Sequence, residues 1–169
     1  MSKTVLDPKE EAKNAAEEGR FTEEQLMLVI QLNLLFLSNL SHNDVVREQI
    51  LEFDREPEFH GLHVSLMLGW FSHPKLSPFF HFFSNVLANL TSDKKCREFL
   101  LEPKWKLFDH ITTSVYSADP NRRLGTLKVL RNLFFEYENE VVLKYILSPA
   151  VKHSKFHLCL INCSVAQSS

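Results

Sequence analysis

Glycine is scarce, with four in 169 residues, and alternation of β-branched residues over strand lengths is hard to find. A chain this poor in turn and strand signals, whose Leu, Phe, Asn, Lys and Glu fill segments of helical length, reads as all-α. Cysteine is equally sparse. Cys96, Cys159 and Cys163 make an odd number, with no basic, then apolar, then small-residue leader ahead of them, which predicts a reducing cytosolic or nuclear compartment. No charge of one sign dominates: 19 basic against 21 acidic residues leave a net −2, whereas nucleic-acid binders carry a clear basic excess. The most apolar run, Leu26 to Leu40, falls short of the about 20 residues of a bilayer crossing and is broken by Gln31, Asn33 and Asn39. Catalytic signatures are also missing. There is no Gly-rich phosphate loop, no G-x-S-x-G and no H-E-x-x-H, and Cys96 reads as a small packing residue within a helix. The sequence therefore points to a monomeric, cytoplasmic, non-enzymatic protein without cofactor, membrane or nucleic-acid partner.

What the chain does have is internal repetition. With 44% apolar residues in 169, it can bury the core of one domain. The stretch Phe82 to Glu102, FFSNVLANLTSDKKCREFLLE, matches Leu34 to Glu52 at an offset of 50: Leu37, Asn39, Leu40, Arg47, Glu48, Ile50, Leu51 and Glu52 align with Leu87, Asn89, Leu90, Arg97, Glu98, Leu100, Leu101 and Glu102. A third copy, Leu127 to Ser148, keeps Leu130, Asn132 and Leu133 and ends on Ile146 and Leu147 after a three-residue expansion. Copies of this period, each a helix, a polar break and another helix, predict an α-solenoid of the armadillo or HEAT kind, a right-handed superhelix truncated mid-repeat.

In chain order, residues 1–21 are expected to be a polar, partly disordered leader, 22–148 the repeat domain and 149–169 an irregular tail. Thr22 and Gln25 form a capping box ahead of Leu26 to Leu40, whose apolar residues cover most of its circumference and so predict a helix sandwiched between neighbours on two sides. Ser41 to Asp44 breaks the chain before a short helix over Val45 to Phe53. Leu62 to Phe71 is helical within an otherwise irregular stretch punctuated by Pro57, Gly61 and Pro74. Ser77 and Pro78 are expected to cap one helix running to Leu90, with Phe79, Phe83, Val86, Leu87 and Leu90 on its core stripe and His81, Ser84, Asn85 and Ala88 opposite. Ser92 or Asp93 caps the next, Lys104 to Ser117 reads as one helix, Asp119 and Pro120 open another to Phe135, and Asn139 to Leu147 begins a unit that Pro149 cuts off.

Binding candidates follow from the repeat. Asn39, Asn89 and Asn132 end helices at one register. An amide both donates and accepts, so such a ladder suits an extended peptide backbone, while it equally suits helix-end carbonyls inside the chain. Asn85 lies beside Asn89, and Arg97 marks the junction of the most complete copy. Arg122 and Arg123 occupy a first helical turn, where the macrodipole disfavours cations. With Lys128 and Arg131 they belong to Ser92 to Arg131, which holds nine basic and five acidic residues, a mild positive patch suited to an acidic protein surface or equally to a solvated helix face. Gly125, costly inside a helix, predicts close approach of another backbone. His153, His157, Cys159 and Cys163 have spacings found in zinc sites, yet they fall in an irregular tail and are not expected to bind metal. His60 and His63 read as surface or half-buried histidines.

The strings LSNLS at Leu37, LANLT at Leu87 with CREFLLEP after it, and NRRLGTLKVLRNLFFE at Asn121 carry a family likeness. Over about Leu34 to Leu147 the chain resembles the eukaryotic cytosolic armadillo-like family that assists folding of translation elongation factor 2, as adaptor between that client and the chaperonin TRiC. Its most specific residues here are Arg122, Arg123, Gly125, Leu130, Arg131 and Asn132. The chain departs from the family at Leu124, where a second glycine is usual, and lacks the family's carboxy-terminal half. The resemblance implies a protein-binding adaptor in elongation factor 2 folding; the alternatives are a generic armadillo scaffold for an extended peptide or partner helix, and an inactive short form.

Overall fold

The computed structural model describes residues 22–148, which contain eight α-helices and no strand. The leader and the tail, with His153, His157, Cys159 and Cys163, lie outside the described residues. Helix α1 spans Glu23–Leu40, α2 Asp44–Ile50, α3 Leu62–Ser72, α4 Phe83–Leu90, α5 Lys94–Leu100, α6 Leu107–Ile111, α7 Pro120–Leu133 and α8 Glu140–Ile146. Short 3-10 turns link them.

Local chemistry sets the helix starts. Thr22 Oγ1 accepts from the Gln25 amide at 3.2 Å while Gln25 Oε1 accepts from the Thr22 amide at 2.9 Å, the reciprocal capping box read in the sequence. Asn43, Asp93, Asp119 and Asn139 cap α2, α5, α7 and α8 with side-chain oxygens on amides of the first turn. At α3 the start is different: Gly61 stands at φ 72, and a Cβ there would fall 2.7 Å from the Trp105 ring and 2.8 Å from Phe99. Both the backbone angle and the space call for glycine.

Packing joins the copies. Helix α4 is the centre: α7 makes the most extensive contact with it and α1 packs on it as well. Its stripe Phe79, Phe83, Val86, Leu87 and Leu90 is buried as the periodicity predicts. The opposite face is not open, however. Ser84 is fully buried and Ala88 nearly so, because the small residues admit α7. A Cβ on Gly125 would lie 2.8 Å from the Ser84 main-chain carbon, the close backbone approach expected from that glycine. Phe71 meets Phe83 edge-on at 5.8 Å, and Phe108 stacks on Tyr145 at 4.0 Å, fastening α8 to α6.

Three further expectations need correction. Helix α1 is not sandwiched: Leu34 and Ser38 are buried, while Leu28, Leu32 and Phe36 on its far side are exposed among the described residues. The helix to Leu90 does not begin at Ser77. Residues Ser77–Phe80 form a 3-10 turn without a side-chain cap, and the Ser77 carbonyl accepts from Arg122 instead of continuing a helical ladder. The single helix expected over Lys104 to Ser117 is broken, since Lys106 takes φ 46 between a 3-10 turn at Pro103–Trp105 and α6, and Thr112–Tyr116 tightens to 3-10 again.

Two predictions follow from this packing. Gly125→Ala, which raises helix propensity by about 1 kcal/mol, is expected instead to destabilise by about 1–3 kcal/mol through overpacking against Ser84, seen as a lower urea midpoint at constant slope. The Cys96 thiol is pushed up to about 12, first by burial and then by its hydrogen bond to Asp93. With Cys159 and Cys163 replaced by serine, a thiol reagent at pH 8 should modify it only as fast as the protein unfolds. The sign for stability follows: the protonated thiol's contribution is complete below its ordinary value near 9.0 and is lost as pH rises from there toward about 12.

Candidate functional site

In the second and third copies the asparagine near the helix end reaches back to the preceding copy. Asn89 Nδ2 donates to the Ser38 carbonyl at 2.7 Å and to Ser41 Oγ at 2.9 Å. One copy on, Asn132 Nδ2 donates to the Ala88 carbonyl at 3.0 Å and to Thr91 Oγ1 at 3.3 Å. The acceptors hold the same register, Ser38 with Ala88 and Ser41 with Thr91, so one hydrogen-bond motif recurs between successive copies. The same carbonyls also accept from the hydroxyl of their own helix end, Ser38 from Ser41 Oγ at 2.9 Å and Ala88 from Thr91 Oγ1 at 3.2 Å, so the asparagine joins an existing bond at each helix end. Both Nδ2 groups are therefore engaged inside the chain. Asn39, at the same position in the first copy, is exposed and makes no side-chain hydrogen bond among the described residues.

The arginines at the copy junctions are alike too. Arg47 Nη1 donates to the carbonyls of Ser41 and His42 at 3.0 and 2.8 Å, and Arg97 Nη1 to those of Thr91 and Ser92 at 3.0 and 2.8 Å. A guanidinium fork fits the two adjacent carbonyls of each polar break and locks the turn between helices. Their second partners differ. Arg47 pairs with Asp44, whereas Arg97 reaches Glu136 in the next copy through Nε and Nη2, both at 2.9 Å. In the third copy Leu143 stands at this register, so no such clamp forms there.

Arg122, which the sequence offers as a surface cation, is buried. Its guanidinium lies 3.7 Å over the Phe71 ring and donates to Ser114 Oγ at 2.9 Å, to the Ser77 carbonyl at 3.0 Å and to the Phe71 carbonyl. Burial holds its pKa below the usual arginine range, while Asp119 opposes that shift. A cation unfavourable to its own helix is thus accounted for by what it ties together: the α3 end, the turn at Ser77 and the start of α7.

The remaining candidates face outward. Arg123, Lys128 and Arg131 are exposed and Asn85 is half-buried. Arg123 Nη1 donates to the Ser117 carbonyl at 2.6 Å, and Arg131 Nη2 to Asn132 Oδ1 at 3.4 Å. Leu124 and Phe135, which the sequence did not offer as binding residues, are exposed as well and stand with Lys128 and Arg131 at spacings of four, three and four. The helical period could have found them once Lys128 and Arg131 were chosen. Glu52, which the sequence marked only as a repeat position, has a structural role that was not read there. It takes φ 58, is nearly fully buried, and pairs with Arg55 at 3.2 Å and His63 at 3.3 Å, bracing the chain between α2 and α3.

Among the described residues no group of three or more His, Cys, Asp or Glu could hold a metal ion, and no helix is long and apolar enough to cross a membrane. An open depression lined by Asp54, Arg55, Glu56 and Phe59 lies beside the chain leading to α3.

The described residues form an all-α fold in which one asparagine hydrogen-bond motif occurs twice. The chain belongs to the family described as a domain of unknown function, DUF383, whose model matches residues 22–153. Comparison with curated proteins and with solved structures found no match.

The hydrogen-bond assignments separate structural from surface residues. Asn132→Ala should lower stability by about 1–2 kcal/mol, and Arg122→Met, which leaves two carbonyls without their donor, by about 3 kcal/mol. Lys128→Ala and Arg131→Ala should stay within about 0.5 kcal/mol of wild type. Urea unfolding followed by circular dichroism measures all four.

Proposed function

We propose that the chain is an armadillo- or HEAT-like right-handed helical solenoid that acts as a non-catalytic protein-binding adaptor, assisting the folding of translation elongation factor 2 together with the cytosolic chaperonin. The observation that carries the adaptor reading is the recurrence of one bonding pattern between copies. Asn89, Asn132 and Arg97 are engaged in holding the copies together, and Arg47 in locking the turn of its own copy. What remains outward on α7 is Leu124, Lys128 and Arg131 with Arg123 alongside, and Phe135 in the 3-10 turn that follows the helix. A cationic stripe flanked by exposed apolar side chains suits an acidic protein surface: the charges steer the encounter and the apolar side chains supply desolvation. The choice of elongation factor 2 and TRiC rests on the resemblance of LSNLS, LANLT and NRRLGTLKVLRNLFFE. The extended-peptide alternative gains nothing from Asn89 and Asn132, whose donor groups are already taken.

The test is affinity capture from eukaryotic cytosol with the full chain as bait. Elongation factor 2 and chaperonin subunits should be enriched, and Lys128→Glu with Arg131→Glu should reduce their recovery at least fivefold while leaving the melting temperature unchanged. Recovery of neither protein would sink the client assignment. Equal recovery with the charge-reversed chain would remove α7 as the binding face.

A further inference from the structure

The bonding pattern between copies has an open end at α1. Three positions around the repeated asparagine, seven and three residues before it and one after, are Phe82, Val86 and Leu90 in the second copy and Gly125, Val129 and Leu133 in the third. All are buried or partly buried, in helices that pack on the preceding copy, α4 on α1 and α7 on α4. The same positions in the first copy are Leu32, Phe36 and Leu40, exposed at 55%, 64% and 41%. Leu28 and Leu35 extend this face at 57% and 40%, and contiguous exposed apolar patches are often functional. Asn39 sits within this face, with no hydrogen-bond partner for its side chain among the described residues.

The register of the two occupied junctions states what fits the third. At each, the asparagine amide meets the carbonyl of a small residue at a helix end, Ser38 or Ala88, and the hydroxyl three residues later, Ser41 or Thr91. We infer that the far face of α1 is the docking site for a helix of a partner protein: one with an uncharged apolar face that ends in a small residue followed, three positions on, by Ser or Thr. Charge agrees with this occupant, since no Asp, Glu, Lys or Arg occurs between Glu24 and Asp44, leaving the face nothing to pair with a charged helix. The repeat helices of a second copy of this chain do not supply the acceptors. Asn89 occupies the pair at Ser38 and Ser41, Asn132 occupies the pair at Ala88 and Thr91, and the third helix end has Phe134 where a hydroxyl is required. Docking would continue the stack by one unit at a face that stacked-helix proteins otherwise need to cap.

The inference stands on this register alone and does not depend on the α7 face or on the client. A fluorescent peptide with the sequence Thr22 to Asn43 and a solubilising lysine tail offers the required acceptor pair, unoccupied, at the end of a helix. Anisotropy titration with the full chain should give saturable binding at micromolar concentration. Asn39→Ala in the full chain should weaken it about tenfold, as should Ser41→Ala in the peptide, and the two changes together should weaken it no further than either alone. Phe36→Glu, at an exposed position that leaves the melting temperature in place, should abolish it. Absence of saturable binding at 25 °C up to about 100 µM, the weak end of specific association, or binding indifferent to Asn39→Ala and Phe36→Glu, overturns the inference. So does sedimentation showing that the full chain self-associates and that Phe36→Glu returns it to monomer, because the occupant is then a second copy. Affinity capture through α7 is unaffected by any of these outcomes, so failure here is distinguishable from failure of the adaptor reading.

Discussion

The bond from an asparagine amide to the helix end of the preceding copy is the interaction on which the remaining structure depends. A short helix such as α4 or α5 has little stability of its own, because nucleation is costly and few bonds repay it. It persists by burying its apolar stripe against neighbours, and apolar packing by itself does not choose a register. Asn89 and Asn132 do, because each must place one amide between a carbonyl and a hydroxyl whose relative position is set by helical geometry. A slip of one residue would separate the pair and leave buried polar groups unpaired, which costs more than a typical hydrogen bond contributes.

The arginines act on the other side of each helix end. Arg47 and Arg97 bind the two carbonyls of the polar break in their own copies, fixing the angle at which the following short helix leaves. Arg122 does comparable work over a longer reach, joining α7 to carbonyls from Phe71 and Ser77. Three cations that a surface reading would assign to a partner thus become internal connectors. Among the cations offered as binding candidates, Arg123, Lys128 and Arg131 remain outward, and function is better sought along that narrower stripe.

Close backbone approach complements these polar links. Gly125 against Ser84 brings α7 onto α4 at a distance no side chain allows, and it closes the polar face of α4 that periodicity alone leaves to solvent. The same closeness places Asn132 within reach of Ala88 and Thr91, so a glycine and an asparagine one helix face apart serve a single junction.

Much of this was written in local sequence. The all-α class, the caps at Thr22, Asp93, Asp119 and Asn139, and the core stripe from Phe79 to Leu90 follow from residues at most a few positions apart, since capping and helical period are local physics. The offset of 50 aligned Asn39 with Asn89, but neither the hydroxyls at Ser41 and Thr91 nor the groups that would pair were read from it. Tertiary structure alone decided that Arg122 is buried, that Lys106 interrupts a helix, that Ser84 and Ala88 face α7, and that α1 is covered on one side. Each of these turns on a neighbour 35 or more residues away or on the space between helices, and a helical pattern states which face is apolar without stating what, if anything, lies against it.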